Sequence, residues 1–437
     1  MRILLVSPKF ASGWKPYIMP PIGLCYLKAS LTKAGFKDTK VLDASNYSIK
    51  RIKREIEIYR PDIVGVTCFT EARHNALDVT RVAKELGATT ILGGVHPTFM
   101  YKQILDNYKS VDIVVVGEGE ETIVELAKSL VRGKWESIGG LVLRYKDQII
   151  VGSERERIED LDSIPYPDYS DLDLKRYDEF PILTSRGCPF QCVFCSARAC
   201  WGNWRHRSVP NVVKELGYSV SRYGRKSFII TDDIFSASSK RVEELCQALV
   251  DSKLGIKWKI QTRVDSVTLP LLGLMKEAGC TGIVFGVESG SPTILKNLNK
   301  KEDIESVVEA FTWCNQVGIC STFNVLIGAP GETVETLNET RELIRRCRPS
   351  IVSTAVLRVY PGTPLWAQEE YSDDWLLGGG ETLYYTKAMR LNEMYRHSRE
   401  MRMLQARLNG MKGYLNLIKF GMVSLRRIPS KVFRSIG

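Results

Sequence analysis

From Met1 to about residue 130, apolar and polar positions alternate in a steady rhythm. Short apolar runs at 3–7, 40–42, 63–67, 90–92 and 113–116 are each followed by small or turn-prone residues and then by an amphipathic stretch such as 76–86 or 121–131. Strand-length runs separated by helix-length segments predict a parallel sheet flanked by helices, a Rossmann-like or flavodoxin-like arrangement. Ligands of such sheets collect at the carboxyl ends of the strands. Those ends are Ser7-Pro8-Lys9, Cys68-Phe69-Thr70, Gly93-Gly94-Val95-His96-Pro97 and Gly117-Glu118-Gly119-Glu120. A hairpin follows at 140–151, and the acidic, proline-bearing run 159–168 reads as a plain bridge. From residue 181 the alternation resumes, with runs at 181–184, 227–231, 257–261, 282–286, 321–327 and 353–359 and helical patterns at 209–223, 240–252 and 304–317. Strands so connected predict a partial (β/α)6 barrel, whose chemistry gathers at the carboxyl ends. Beyond 371 a helical pattern at 382–408 takes over. The expected α/β chain thus has a Rossmann-like domain at 1–140, a hairpin and linker at 141–179, the partial barrel at 180–370 and a helical basic C-terminal region at 371–437.

With 44% hydrophobic and 25% charged residues in 437, the composition is that of a globular protein. The net charge is +11, and part of the excess lies in 401–437, which has no Asp or Glu but carries Arg402, Arg407, Lys412, Lys419, Arg426, Arg427, Lys431 and Arg434 among apolar residues. That composition suits either an amphipathic helix resting on an anionic bilayer or a basic helix packed on the barrel. Aromatic stacking positions there are too few to favour nucleic acid. The first apolar run breaks at Pro8, too short for a signal peptide, and no run has transmembrane length. The eleven cysteines are thinly spread, which fits a reducing, cytoplasmic setting better than a disulfide scaffold.

Three of those cysteines share one loop. Thr184-Ser185-Arg186-Gly187-Cys188-Pro189-Phe190-Gln191-Cys192-Val193-Phe194-Cys195 follows the first strand of the second sheet and sets Cys188, Cys192 and Cys195 at spacings of four and three. Three close thiolates can hold three corners of a cubane iron–sulfur cluster and leave the fourth iron open to a small chelating ligand. A zinc knuckle is the bland alternative, but structural zinc wants four ligands, usually in paired Cys-x2-Cys units. Cys200, Cys246, Cys280, Cys314, Cys320 and Cys347 form no second cluster and read as core residues. Trp201, Trp204 and His206 follow the loop closely and read either as lining the substrate or cobalamin side or, the preferred reading, as packing beneath the loop.

The spacing Cys-x3-Cys-x-Phe-Cys resembles the signature of the radical S-adenosylmethionine superfamily. Pro20-Pro21-Ile22-Gly23-Leu24, Gly93-Gly94-Val95-His96-Pro97 and Gly117-Glu118-Gly119-Glu120 resemble the cobalamin-binding domains that precede many of its members. The signature Asp-x-His-x-x-Gly is absent, so neither His74 nor His96 is assigned to cobalt. The resemblance implies a [4Fe-4S] cluster on Cys188, Cys192 and Cys195. It places S-adenosylmethionine near Phe194, Asp233, Arg263, Glu288 and Ser289, and cobalamin near Ser7, Thr70, Gly93, Gly94, Gly117, Glu118 and Gly119. Turn chemistry alone also accounts for Gly328-Ala329-Pro330-Gly331 and Pro361-Gly362-Thr363-Pro364.

The implied reaction is reductive cleavage of S-adenosylmethionine to a 5′-deoxyadenosyl radical, with methyl transfer from cobalamin to an unactivated carbon of a small molecule, a lipid being one candidate. A one-electron reductant such as flavodoxin or ferredoxin is the implied partner, and the tail offers contact with the inner membrane face. Cyclisation, coupling or rearrangement without methyl transfer is the alternative enzyme. A non-catalytic, cluster-bearing membrane partner is the alternative of another class.

Overall fold

The computed structural model describes residues 1–10, 19–132, 135, 138–146, 148–367 and 389–410. The first sheet contains β1 (Ile3–Ser7), β2 (Thr39–Asp43), β3 (Ile63–Thr67), β4 (Thr89–Gly93), β5 (Ile113–Val115), β6 (Leu141–Tyr145) and β7 (Gln148–Val151), in the order β2-β1-β3-β4-β5-β6-β7. It is parallel through β5, and the chain changes direction of travel between β1 and β3, the flavodoxin-like switch point. Helices α1 (Ile22–Lys33), α2 (Ile49–Tyr59), α3 (Arg73–Glu85), α4 (Val95–Asn107) and α5 (Glu120–Arg132) form the crossovers. The hairpin expected in the linker belongs to this sheet, because β6 pairs antiparallel with β5. Its inward Leu141 and Leu143 are buried with Ile113 and Val115, and that apolar face is what draws it in.

The second sheet is six-stranded and wholly parallel, in the order β15-β14-β13-β12-β11-β8, built from β8 (Phe180–Ile182), β11 (Ser227–Ile230), β12 (Lys257–Thr262), β13 (Cys280–Glu288), β14 (Cys320–Ile327) and β15 (Ile351–Val356). A short ribbon, β9 (Ser185–Arg186) with β10 (Arg205–His206), frames the cysteine loop together with α6 (Ala197–Trp201). Outer helices α7 (Val209–Tyr223), α8 (Ser239–Ser252), α9 (Leu269–Glu277), α10 (Pro292–Asn297), α11 (Ile304–Val317) and α12 (Val334–Cys347) cover the sheet. Local chemistry fixes where they begin: Ser208, Ser238, Thr268, Asp303 and Thr333 each accept a backbone N–H of the first turn. Their buried faces meet Phe228, Trp258, Phe285 and Phe323 in one core. After the short α13 (Pro364–Ala367), α14 (Leu391–Leu408) lies along β15.

That last helix decides part of the tail. Met394 and Met401 are buried in the barrel core, Ser398 meets Thr354 at 2.6 Å, and Gln405 donates to the Ser350 carbonyl at 2.8 Å. Residues 391–408 are therefore a helix packed on the barrel, not a bilayer-facing one. The remaining tail residues, from 411 onward, and the start of the expected helix at 382–388 lie outside the described residues. Among the described residues no helix is long and apolar enough to cross a membrane.

The bridge at 152–179 is more than a tether. Lys28 of α1 holds Asp168 at 3.3 Å and Asp171 at 2.6 Å, Asp171 also accepts the Val41 N–H, and Tyr177 donates to Asp43 at 2.7 Å. On the other side Asp162 accepts the Ser208 N–H and Tyr166 reaches the Asn211 carbonyl. Its polar groups stitch one sheet's edge to the other's helices.

Candidate functional site

The carboxyl ends of both sheets face one cavity of about 510 Å³. Leu5, Gly65, Val66, Thr67, Gly93, Gly94, Gly117, Gly119 and residues of α1 line it from the first sheet. Leu183, Ser185, Arg186, Cys195, Ala197, Trp201 and Asp233 line it from the second. A Cβ built on Gly23 or Gly117 meets no atom within 4 Å, so the largely apolar first-sheet wall has open space at these two glycines, whereas Gly65, Gly94 and Gly119 lie against Leu5, Cys68 and Leu27. A large flat ligand can approach such a wall closely, and this fits a corrinoid ring. The other implied members depart from that wall. Ser7 is absent from the lining, and its carbonyl is taken by the Ala44 N–H. Thr70 is buried against His96 Nδ1 at 3.1 Å, and burial pushes His96 down to about 3. Neither of them, nor His96, lines the cavity.

Glu118 reaches the cavity but is fully engaged. Its Oε1 accepts from Arg186 at 2.7 Å and Arg205 at 3.1 Å, and its Oε2 accepts from Arg205 at 3.1 Å and the Ile158 N–H at 2.7 Å. Burial would raise this carboxyl, but the hydrogen bond from Arg205 and the charge of Arg186 hold it below the usual carboxylate value. Glu118 thus has no lone pair left over for a cofactor.

A second cavity, of about 580 Å³, is lined by Cys188, Cys192 and Cys195 with Phe190, Arg198 and the segment 362–367. Cys195 and Ala197 line both cavities, so the two meet at that corner. The loop hangs from its backbone: Val193 N–H donates to Leu298 O, Val193 O accepts from Leu365 N–H, and Asn299 donates to Gln191 O at 2.7 Å. Gly187, at φ +82°, admits no side chain, since a Cβ would sit 2.4 Å from Asn203 O. Among the described residues no three His, Cys, Asp or Glu side chains converge on a point where a single ion would sit. Three thiols spaced around one cavity suit a cubane, whose cysteines bind separate irons, better than a zinc ion.

The S-adenosylmethionine residues divide. Asp233 lines the first cavity beside Cys195, its Oδ2 accepts the Gly187 N–H at 3.1 Å, and burial raises it to about 6. Its neighbour Asp232 is spent on Thr184 and Ser185. Glu288 lines neither cavity; it sits at a break in the β13–β14 register with φ +71°, a strained conformation for a residue with a side chain, and faces Lys300 at 3.7 Å. Arg263 lines neither cavity; its guanidinium is bound by Asp265 at 2.6 and 2.9 Å and lies 4.0 Å from the Phe190 ring. The cation implied for the carboxylate of S-adenosylmethionine is thus held by the aspartate two residues on. Ser289 is buried against Thr340 and the Ser291 N–H, and Phe194 packs with Ile294, Leu298 and Leu357. Both are support, not lining. Trp201 does line the first cavity, the less favoured of its two sequence readings, whereas the alternation of strand and loop gave no sign of Lys300 and Glu302 beside Cys192. Glu302 is buried between Lys300 and Arg263, and burial lifts it to about 7.

Two profiles match the chain, the B12 binding domain over residues 15–127 and the radical SAM superfamily over 182–344. The chain is 34% identical to an uncharacterized methyltransferase of Pyrococcus horikoshii, over 84% of this chain and 82% of that one. It is 31% identical to the anaerobic magnesium-protoporphyrin IX monomethyl ester cyclase of Rubrivivax gelatinosus, over 84% and 70%. The solved structure of the cobalamin-dependent S-adenosylmethionine radical enzyme OxsB shares the fold, with a TM-score of 0.77, 19% identity and coverage of 100% of this chain and 70% of that one. The chain belongs to the radical S-adenosylmethionine superfamily, in the branch whose members carry an N-terminal B12-binding domain.

Proposed function

We propose that this enzyme is a methylase of an unactivated carbon in a small molecule with an apolar body, using a [4Fe-4S] cluster, S-adenosylmethionine and cobalamin. The observation that carries this reading is the meeting of the two cavities at Cys195, which sets an apolar, glycine-bearing wall opposite a three-thiol loop. When bound, the cluster with S-adenosylmethionine supplies a carbon radical by reductive cleavage, and cobalamin supplies a transferable methyl group. The rest falls to the chain. Cys188, Cys192 and Cys195 would hold the cluster, with the loop's backbone hydrogen bonds fixing their spread. Asp233 and Glu288 would accept hydrogen bonds from the amino-acid or ribose part of S-adenosylmethionine. Gly23, Gly93, Gly94, Gly117 and Gly119 would let the corrinoid approach, while Leu24, Leu27, Leu183 and Trp201 exclude water and favour an apolar substrate.

The test is anaerobic incubation of the reconstituted protein with cobalamin, a reductant and methyl-deuterated S-adenosylmethionine, read by mass spectrometry. Methylation predicts S-adenosylhomocysteine that forms only when cobalamin is present. The cyclase relatives favour a second reading, and deoxyadenosine without S-adenosylhomocysteine would select it. A non-catalytic role predicts neither product.

A further inference from the structure

Glu118 sits between two buried arginines that the ribbon places side by side, since Arg186 and Arg205 are register partners across β9 and β10. Two adjacent guanidiniums taken out of water repel each other unless an anion lies between them. Glu118 is that anion, and it comes from the other half of the molecule. Glu120, two residues on and the first residue of α5, binds the remaining face of Arg186. The two ends of this linkage lead to different places. Glu118 is flanked by Gly117 and Gly119 of the apolar wall of the first cavity. Arg186 is joined through Gly187 to Cys188, and Gly187 is itself clamped by Asp233 and by the backbone of Asn203. The Ile158 N–H on Glu118 ties in the bridge as well. One carboxylate therefore joins the first-sheet turn to the ribbon that frames the cysteine loop and to the bridge.

Resting on the functional reading above, we infer that Glu118 is a positioning residue that couples the corrinoid wall to the cluster loop, so that a loaded cluster tightens cobalamin binding. A filled cluster site orders the loop and with it Arg186. Arg186 then holds the 117–120 turn in place before the corrinoid arrives, and less ordering is left for binding to accomplish. By linkage the effect is reciprocal: bound cobalamin protects the cluster to the same degree.

The experiment titrates hydroxocobalamin into the full-length protein under anaerobic conditions, with and without reconstituted cluster, and compares the two dissociation constants. The wild type is expected to bind about tenfold tighter with the cluster, inside the usual range of coupling. In Glu118→Gln both cofactors still bind, but the ratio falls to within about twofold of one. Glu118→Asp keeps the charge between the arginines and protects the fold; its shorter reach predicts an intermediate ratio, and it decides the matter should the glutamine variant fail to fold. A wild-type ratio of one overturns the inference, and so does a wild-type ratio that persists in the variants. A merely structural role would lower the melting temperature and weaken both affinities alike, leaving the ratio intact. Protein that binds no cobalamin in either state sinks the functional reading along with this one, whereas binding without coupling sinks this inference alone.

Discussion

The two walls of the central cavity are made on opposite plans. The first-sheet wall is mostly glycine and apolar side chain, with Tyr26 and Thr67 its uncharged polar members, and its two acids, Glu118 and Glu120, are neutralised by Arg186 and Arg205 from across the gap. The barrel wall carries two thiols, hydroxyls and Asp233, a carboxylate that accepts the Gly187 N–H. One wall offers shape and the other offers chemistry, so damage to the first should appear in binding and damage to the second in turnover.

The largest separation comes from Cys188→Ala, which removes one corner of the cluster. It should abolish S-adenosylmethionine cleavage while cobalamin still binds, weakened only by the factor that a loaded cluster contributes. Deoxyadenosine assays and cobalamin absorbance check both halves. The converse is Gly23→Leu. Its side chain projects into open cavity from a helical position with no backbone strain, so cobalamin affinity should drop about 10- to 100-fold through overpacking. Iron content should hold and the melting temperature should not fall, because leucine is the better helix former. If Gly23→Leu left affinity intact, the wall would not be where the corrinoid lies.

Asp233→Asn tests the chemical side. Loss of a charged acceptor should slow deoxyadenosine formation about 10- to 100-fold, the worth of one charge-assisted hydrogen bond, with cobalamin affinity unchanged. The smallest effect belongs to Glu332, which lines neither cavity and so should disturb neither function. It is fully buried, and burial raises its carboxyl to about 7 against the N–H groups of Gly328 and Ala329. The folded state thus holds a proton that the unfolded chain releases near pH 4.3, and stability falls as pH rises from about 4 to about 7. Glu332→Gln should flatten that decline and stabilise the protein at pH 8 by on the order of 1–2 kcal/mol, measured by thermal unfolding at several pH values.

The strands were legible because each is an apolar run bounded by turns, and every expected run lies on a strand of the two sheets. The three cysteines were legible because their chemistry depends on local spacing. The inter-sheet network was not, for a plain reason: Arg186 and Glu118 lie 68 positions apart, and no periodicity links residues that meet only after both sheets have formed. The acidic bridge misled in the same way, since the charges that looked solvated are held by Lys28 and by backbone N–H groups. Arg263 shows the opposite error. A cation at a strand end suggests a ligand, but Asp265 lies within its own reach. Ser289 and Phe194 stand beside Glu288 and Cys195, and side chains in successive positions of a strand turn to opposite sides.

The packing of α14 along β15 also sets where the protein can be cut. An open parallel sheet has two unpaired margins that a closed barrel lacks, and an uncovered margin invites pairing with another chain. Here β8 is shielded by Tyr169 of the bridge, and α14 lies against β15, with Asn409 reaching the Pro349 carbonyl just before that strand. A truncation made after Ala367, the last of the described residues to touch either cavity, would keep every residue proposed for chemistry. It would also strip β15 of its cover and leave a self-associating product, so the smallest soluble fragment must run through Leu408.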